Sequence, residues 1–141
     1  MTEERTRIEH SYYENRAVEE RREHRADGTK KSVESLNRDG TLAWKEDYRD
    51  DGTKKTTEFY AKGGVTLEEK QYFREDGKTI ETKEWYYEDG TSINEKWFYR
   101  KEKDSVWRTE SYELGRTKPY QVLEFNEKGE YQKKTTQKFL I

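Results

Sequence analysis

Runs of about eight residues in which Thr, Tyr, Phe and Trp alternate with charged side chains recur along this chain, most of those in its first two thirds closed by Asp-Gly or Gly-Gly. The pattern is plainest between Tyr48 and Arg100. There Tyr48-Arg49 precedes Asp51-Gly52, Phe59-Tyr60 precedes Gly63-Gly64, Tyr72-Phe73-Arg74 precedes Asp76-Gly77, Trp85-Tyr86 precedes Asp89-Gly90, and Trp97-Phe98-Tyr99 follows. A period of two suits an extended strand, and Asp-Gly between such runs is the strongest short-range hairpin signal. The pattern predicts a meander of antiparallel strands.

Turn centres fall near residues 15, 27, 39, 51, 63, 76, 89, 103, 115 and 128, twelve to fourteen residues apart, with Asp-Gly-Thr-Lys-Lys recurring at 27–31 and 51–55. The repeating unit is therefore a hairpin of about 24 residues. Ten turns imply eleven strands, expected near 5–13, 18–25, 30–37, 42–49, 54–61, 66–73, 79–87, 92–100, 105–113, 118–126 and 131–139, in one domain over 1–141. Residues 1–26 are the least decided, because Arg16 to Arg25 is rich in helix formers and a helix could close on Gly28. Pro119 removes a ladder donor near a strand start, a position that fits an edge or a bulge.

Charge tests the register. A three-residue loop at Glu88-Asp89-Gly90, with Gly90 left-handed, sets Lys83 against Glu95, Trp85 against Ile93 and Ile80 against Phe98; a two-residue loop would oppose Glu84 to Glu95. The same rule at Asp76-Gly77 sets Leu67 against Trp85, Glu69 against Lys83 and Tyr72 against Ile80. One face then carries Leu67, Glu69, Gln71, Phe73, Glu81, Lys83, Trp85, Ile93, Glu95, Trp97 and Tyr99, and the other Glu68, Lys70, Tyr72, Ile80, Thr82, Glu84, Tyr86, Asn94, Lys96 and Phe98. Both faces mix rings with charges, whereas a sheet packed on one side is apolar there. This favours an all-β, open or strongly curved single-layer sheet of 10–11 strands. A closed up-and-down barrel of the lipocalin or fatty-acid-binding kind is the alternative, with the same strand count and no exposed edges.

Composition sharpens this picture. Of 141 residues, 28% are hydrophobic and 43% charged, yet 14% are aromatic, with eleven Tyr, five Phe and four Trp. Amphipathic rings can build a thin, half-wetted core. The 29 basic and 31 acidic residues interleave to a net charge of -2, so no basic field exists to hold a nucleic acid. The chain has no cysteine, no apolar leader and no run long enough for a membrane helix, and a cytoplasmic protein is expected.

The units Tyr48 to Lys55, Tyr72 to Gly77 and Phe125 to Tyr131 resemble the aromatic-and-glycine hairpin repeats of the bacterial YD type and the MORN-variant type, without the further internal glycines of MORN units. The resemblance implies an interaction scaffold without catalysis and assigns no site residue.

Searching for chemistry returns little. His10 and His24 are not opposed, every glycine suits a turn, and a carboxylate pair such as Glu69 and Glu95 across one face is what chance gives where glutamates are so frequent. No catalytic residue, metal ligand or cofactor is expected, and the chain is not expected to be an enzyme. The aromatic set Trp44, Trp85, Trp97, Tyr99 and Trp107 is expected to pack along the sheet or to form a recognition surface for a protein partner. In a barrel the same rings would line a pocket for a small hydrophobic or acidic ligand, with Arg108 as counter-ion. The tail from Tyr131 ends in Phe139, Leu140 and Ile141, which could close a barrel or pair with a neighbour's edge in self-association.

Overall fold

The computed structural model describes residues 6–102 and 105–136, and these form one antiparallel sheet of eleven strands in sequence order. The strands are β1 (Arg7–Tyr12), β2 (Val18–His24), β3 (Lys30–Leu36), β4 (Leu42–Tyr48), β5 (Lys54–Tyr60), β6 (Leu67–Phe73), β7 (Ile80–Tyr86), β8 (Ile93–Tyr99), β9 (Val106–Ser111), β10 (Gln121–Phe125) and β11 (Tyr131–Thr136). No helix occurs among the described residues, so the helical option for the first 26 residues gives way to β1 and β2. Strand β10 starts later than expected, just past Pro119, which cannot donate to the ladder. The terminal residues Phe139 to Ile141 and the turn at 103–104 lie outside the described residues.

The sheet is open, which corrects the barrel alternative. Eleven is an odd number, so β1 and β11 run in the same direction, and closing the meander would join them as a parallel pair inside an antiparallel ladder. Charge on both faces adds a second obstacle, since a closed lumen would have to take in a full row of charged residues. The chain exposes 10040 Å², against about 7,800 Å² for a compact globule of this mass. Among the described residues only Val33 and Tyr112 are buried hydrophobics. Stability must therefore come from within the sheet.

Two devices supply it. The first is turn nesting: each glycine of the hairpin loops has positive φ, and in the middle of the chain loops two apart along the same rim touch. A Cβ on Gly64 would lie 2.5 Å from the Leu42 nitrogen, and one on Gly77 would lie 2.8 Å from Thr53 Cβ. The second is an arginine ladder. Arg25 donates from Nη1 and Nη2 to the carbonyls of Arg49 (2.9 Å) and Tyr48 (2.8 Å). Arg49 donates in the same way to Arg74 (3.0 Å) and Phe73 (2.6 Å). Arg74 and Arg100 each donate from Nη2, at 2.6 Å, to the carbonyls of Tyr99 and Phe125. Each guanidinium spans two strands and ties one hairpin to the next. On the opposite rim tyrosines do the same, Tyr13 Oη donating to the Leu36 carbonyl at 2.8 Å and Tyr87 Oη to that of Tyr112 at 2.5 Å.

Register differs from the expected one by two residues in the middle of the chain. Lys83 stands opposite Trp97, Glu84 opposite Lys96 and Trp85 opposite Glu95, while Lys70 faces Glu84 and Glu69 faces Trp85. One residue of the difference comes from the loop: Tyr87 N donates to Ser92 O, so four residues are enclosed, and Asp89 caps the extra turn by accepting from Ser92 N and Thr91 N. The other comes from a bulge one residue into the returning strand, where Trp85 pairs with Glu95 but Tyr86 with Ile93. Because the slip is even, the central residues of each strand keep their expected faces, whereas Leu67, Ile80 and Ile93, which lie beyond the bulges, stand opposite Tyr60, Phe73 and Tyr86 and so change face.

The register places opposite charges side by side across eight of the eleven strands, from β2 to β9. Arg21, Glu34, Lys45, Glu58, Lys70, Glu84, Lys96 and Glu110 form one continuous row on what is here termed the front face. Opposed unlike charges stabilise neighbouring strands and like charges destabilise them, so this row fixes the pairing.

A candidate recognition groove on the back face

The two faces divide the aromatic residues. On the back face a second row runs Ser35, Trp44, Phe59, Glu69, Trp85, Glu95, Ser111. Trp85 meets Trp97 edge to face, with ring centroids 4.8 Å apart and planes at 62°, a favoured aromatic geometry. Lys83 holds its ammonium 5.5 Å from the ring centre of Tyr99. Trp85, Trp97 and Tyr99 thus form one patch on β7 and β8, and Trp44 lies on the same face four strands away from Trp97.

Trp107 and Arg108 belong to the front. Phe98 pairs with Arg108 and Tyr99 with Val106, so Trp107 is the extra residue of a bulge, and its ring packs 5.9 Å from that of Phe98. It is 37% exposed. The guanidinium of Arg108 lies 5.7 Å from the Phe98 ring centre and is engaged by Glu110 (2.6 Å) and Glu124 (3.6 Å). It serves neighbouring carboxylates in the sheet, and with no lumen present the counter-ion role falls away. Glu69 and Glu95 flank Trp85 two strand spacings apart, roughly 10 Å, with the indole between them.

Front-face glutamates are held by phenols. Tyr112 Oη donates to Glu110 Oε1 at 2.6 Å, Tyr60 Oη to Glu58 at 3.3 Å and Tyr86 Oη to Glu84 at 3.4 Å. Burial, then the adjoining carboxylate of Glu58 or Glu84, pushes the Tyr60 and Tyr86 phenols up to about 12, from the ordinary 10. Burial and a hydrogen bond to a glutamate likewise raise Tyr72 and Tyr112. A phenol whose folded pKa is raised favours the native state while it stays neutral. That contribution is complete below pH 10 and is lost as pH rises toward 12, because the unfolded chain ionises first. An alkaline titration followed by phenolate absorbance and circular dichroism should show tyrosine ionisation arriving together with loss of the sheet. Smooth ionisation near 10 with the sheet intact would contradict this.

On the back face, β8, β9 and β10 enclose a groove of about 660 Å³ whose lining includes Glu95, Trp97, Val106, Thr109, Leu123 and Phe125. Its size lies within the ordinary range for binding sites, and its lining is mainly apolar with a few polar groups. Among the described residues Glu95 is the single charged member of that lining. Sequence reasoning singled out Trp97 but missed Thr109 and Leu123, which join it as direct cross-strand neighbours only once the register is known.

No family model and no curated protein matches this chain. Among solved structures it resembles part of a crystal structure of accessory secretory protein 1, 2 and 3 in Streptococcus pneumoniae, with a TM-score of 0.52 and 11% identity over 74% of this chain. The matched part takes up 19% of the neighbouring chain, about a fifth of its length. At this identity the likeness is one of fold. Among the described residues no group of three or more His, Cys, Asp or Glu side chains is arranged to hold a metal ion, and no helix is long and apolar enough to cross a membrane.

Proposed function

We propose that the protein is a non-enzymatic β-sheet scaffold that binds another protein, seating it in the back-face groove between Trp97 and Phe125. The observation that carries this reading is the groove itself: an apolar and aromatic hollow on a single-layer sheet, with no second layer over it. Half-buried Trp, Leu and Phe side by side, with polar groups around them, is the composition of an interface centre. The solved neighbour supports the reading only as a setting, since that structure contains accessory secretory proteins 1, 2 and 3 together. The hairpin-repeat resemblance of the aromatic-and-glycine units points the same way.

The test places a photo-crosslinking residue at Thr109, inside the groove, and separately at Thr82 on the front face, in extracts of the producing cell. Adducts to another polypeptide from position 109 and none from position 82 are expected. Adducts from 82 alone, or none from either, would overturn the reading.

A further inference from the structure

The two edge strands differ in how they are guarded. An antiparallel pairing of an edge with the same edge of a second copy, about a twofold axis normal to the sheet, keeps front with front. Side chains alternate between faces, so such a register must pair residues whose numbers sum to an even value, and one residue then stands opposite itself. On β11 the two longest registers of this kind set Lys133 against Lys133 or Lys134 against Lys134. Like charges directly opposed are destabilising, and lysine on an edge is a common guard against association. All six β11 residues are exposed.

Edge β1 has no such guard at its centre. Its sequence is Arg7-Ile8-Glu9-His10-Ser11-Tyr12, with Ile8 43% and Tyr12 58% exposed. The register centred on Glu9 opposes two carboxylates. The register centred on His10 opposes Ile8 to Tyr12 twice and Glu9 to Ser11 twice, matching β-branched with aromatic residues and leaving no like charges opposed when the imidazoles are neutral. Glu9 is already served within its own chain by Arg7 at 3.2 Å and Arg22 at 3.8 Å. His10 is faced by Arg21 of β2 and by the Tyr12 ring at 6.2 Å.

We infer that β1 is a self-association edge: two copies of this chain join through it in the His10-centred register and continue as one sheet. The site is distinct from the back-face groove and stands whether or not the groove binds a protein. Five paired residues a side make a small interface, so the dimer is weak and concentration-dependent.

The chain has no cysteine, which allows a register-specific test. His10→Cys, at the self-opposed position, should give disulfide-linked dimers under mild oxidation, whereas Glu9→Cys, which faces Ser11 of the partner subunit, should give few. Sedimentation of the unmodified chain over micromolar to millimolar concentration should show a monomer–dimer equilibrium. Ile8→Lys should weaken it about tenfold, because symmetry spoils two pairs at once. That lysine faces Glu23 of its own chain, so the monomer keeps its fold, as circular dichroism would verify. Equal crosslinking at positions 9 and 10, a monomer at every concentration, or a dimer unchanged by Ile8→Lys would each overturn the inference. A loss of Thr109 adducts with the dimer intact would sink only the groove reading.

Discussion

Gly64→Ala is expected to lower stability by about 4 kcal/mol. Gly64 sits at φ +71°, where an L side chain costs about 1–2 kcal/mol. The methyl would also lie 2.5 Å from the Leu42 nitrogen and 3.0 Å from Thr41 Cβ, so the loop between β5 and β6 would have to lift off the loop between β3 and β4. Backbone cannot yield as the end of a side chain can. Gly40 is the control: it has φ +87° and nothing within 4 Å of a built Cβ, so Gly40→Ala should show the conformational part alone. Thermal unfolding of the two variants separates the effects. Equal losses would mean that loop nesting contributes nothing.

Arg49→Ala should cost about 3 kcal/mol. Its guanidinium donates to the carbonyls of Lys54 at 2.9 Å, Arg74 at 3.0 Å and Phe73 at 2.6 Å, tying the loop before β5 to the one before β7. Hydrogen bonds from a charged donor are among the stronger ones, and this guanidinium makes three of them at once. Arg49→Lys should recover less than half of the loss, because a single ammonium cannot reach two strands with the planar fork that three carbonyls require. Urea unfolding reads the difference. A lysine variant as stable as the native chain would show that charge near the rim, and not the fork, matters.

Much of the architecture was legible in the residues. Asp-Gly and Gly-Gly marked most of the loops, all nine positive-φ glycines lie in loops, and within the described residues the strands fell within a residue or two of their expected limits except around Pro119, the expected end of the last strand at 139 lying outside them. The mixing of charge and aromatics on both faces read correctly as a single layer. Register was harder. The spacing between loop glycines grows from twelve residues, as between Gly40 and Gly52, to thirteen between Gly64, Gly77 and Gly90, and that extra residue enters the loop. The bulge that follows leaves no mark in composition, since Ala43, Glu81, Asn94 and Trp107 all occupy the bulged position. Trp107 therefore changed company, leaving the other tryptophans for Phe98. The ladder did have a signal that pattern reading passed over: Tyr48-Arg49, Phe73-Arg74 and Tyr99-Arg100 repeat an aromatic-arginine pair at every second strand. Charged residues are so frequent here that only the bonds to distant carbonyls single these arginines out.

The rim arginines also bear on how the molecule comes apart. Each clamps only its own hairpin to the next, so cohesion is local and adds up along one dimension, as in a stack of coins. Melting should then begin at the ends and progress inward, and the midpoint should climb with the number of units when a 24-residue segment is duplicated between Arg25 and Arg49. A polypeptide assembled in this way has no fixed size, and its length becomes a variable that evolution or design can set freely.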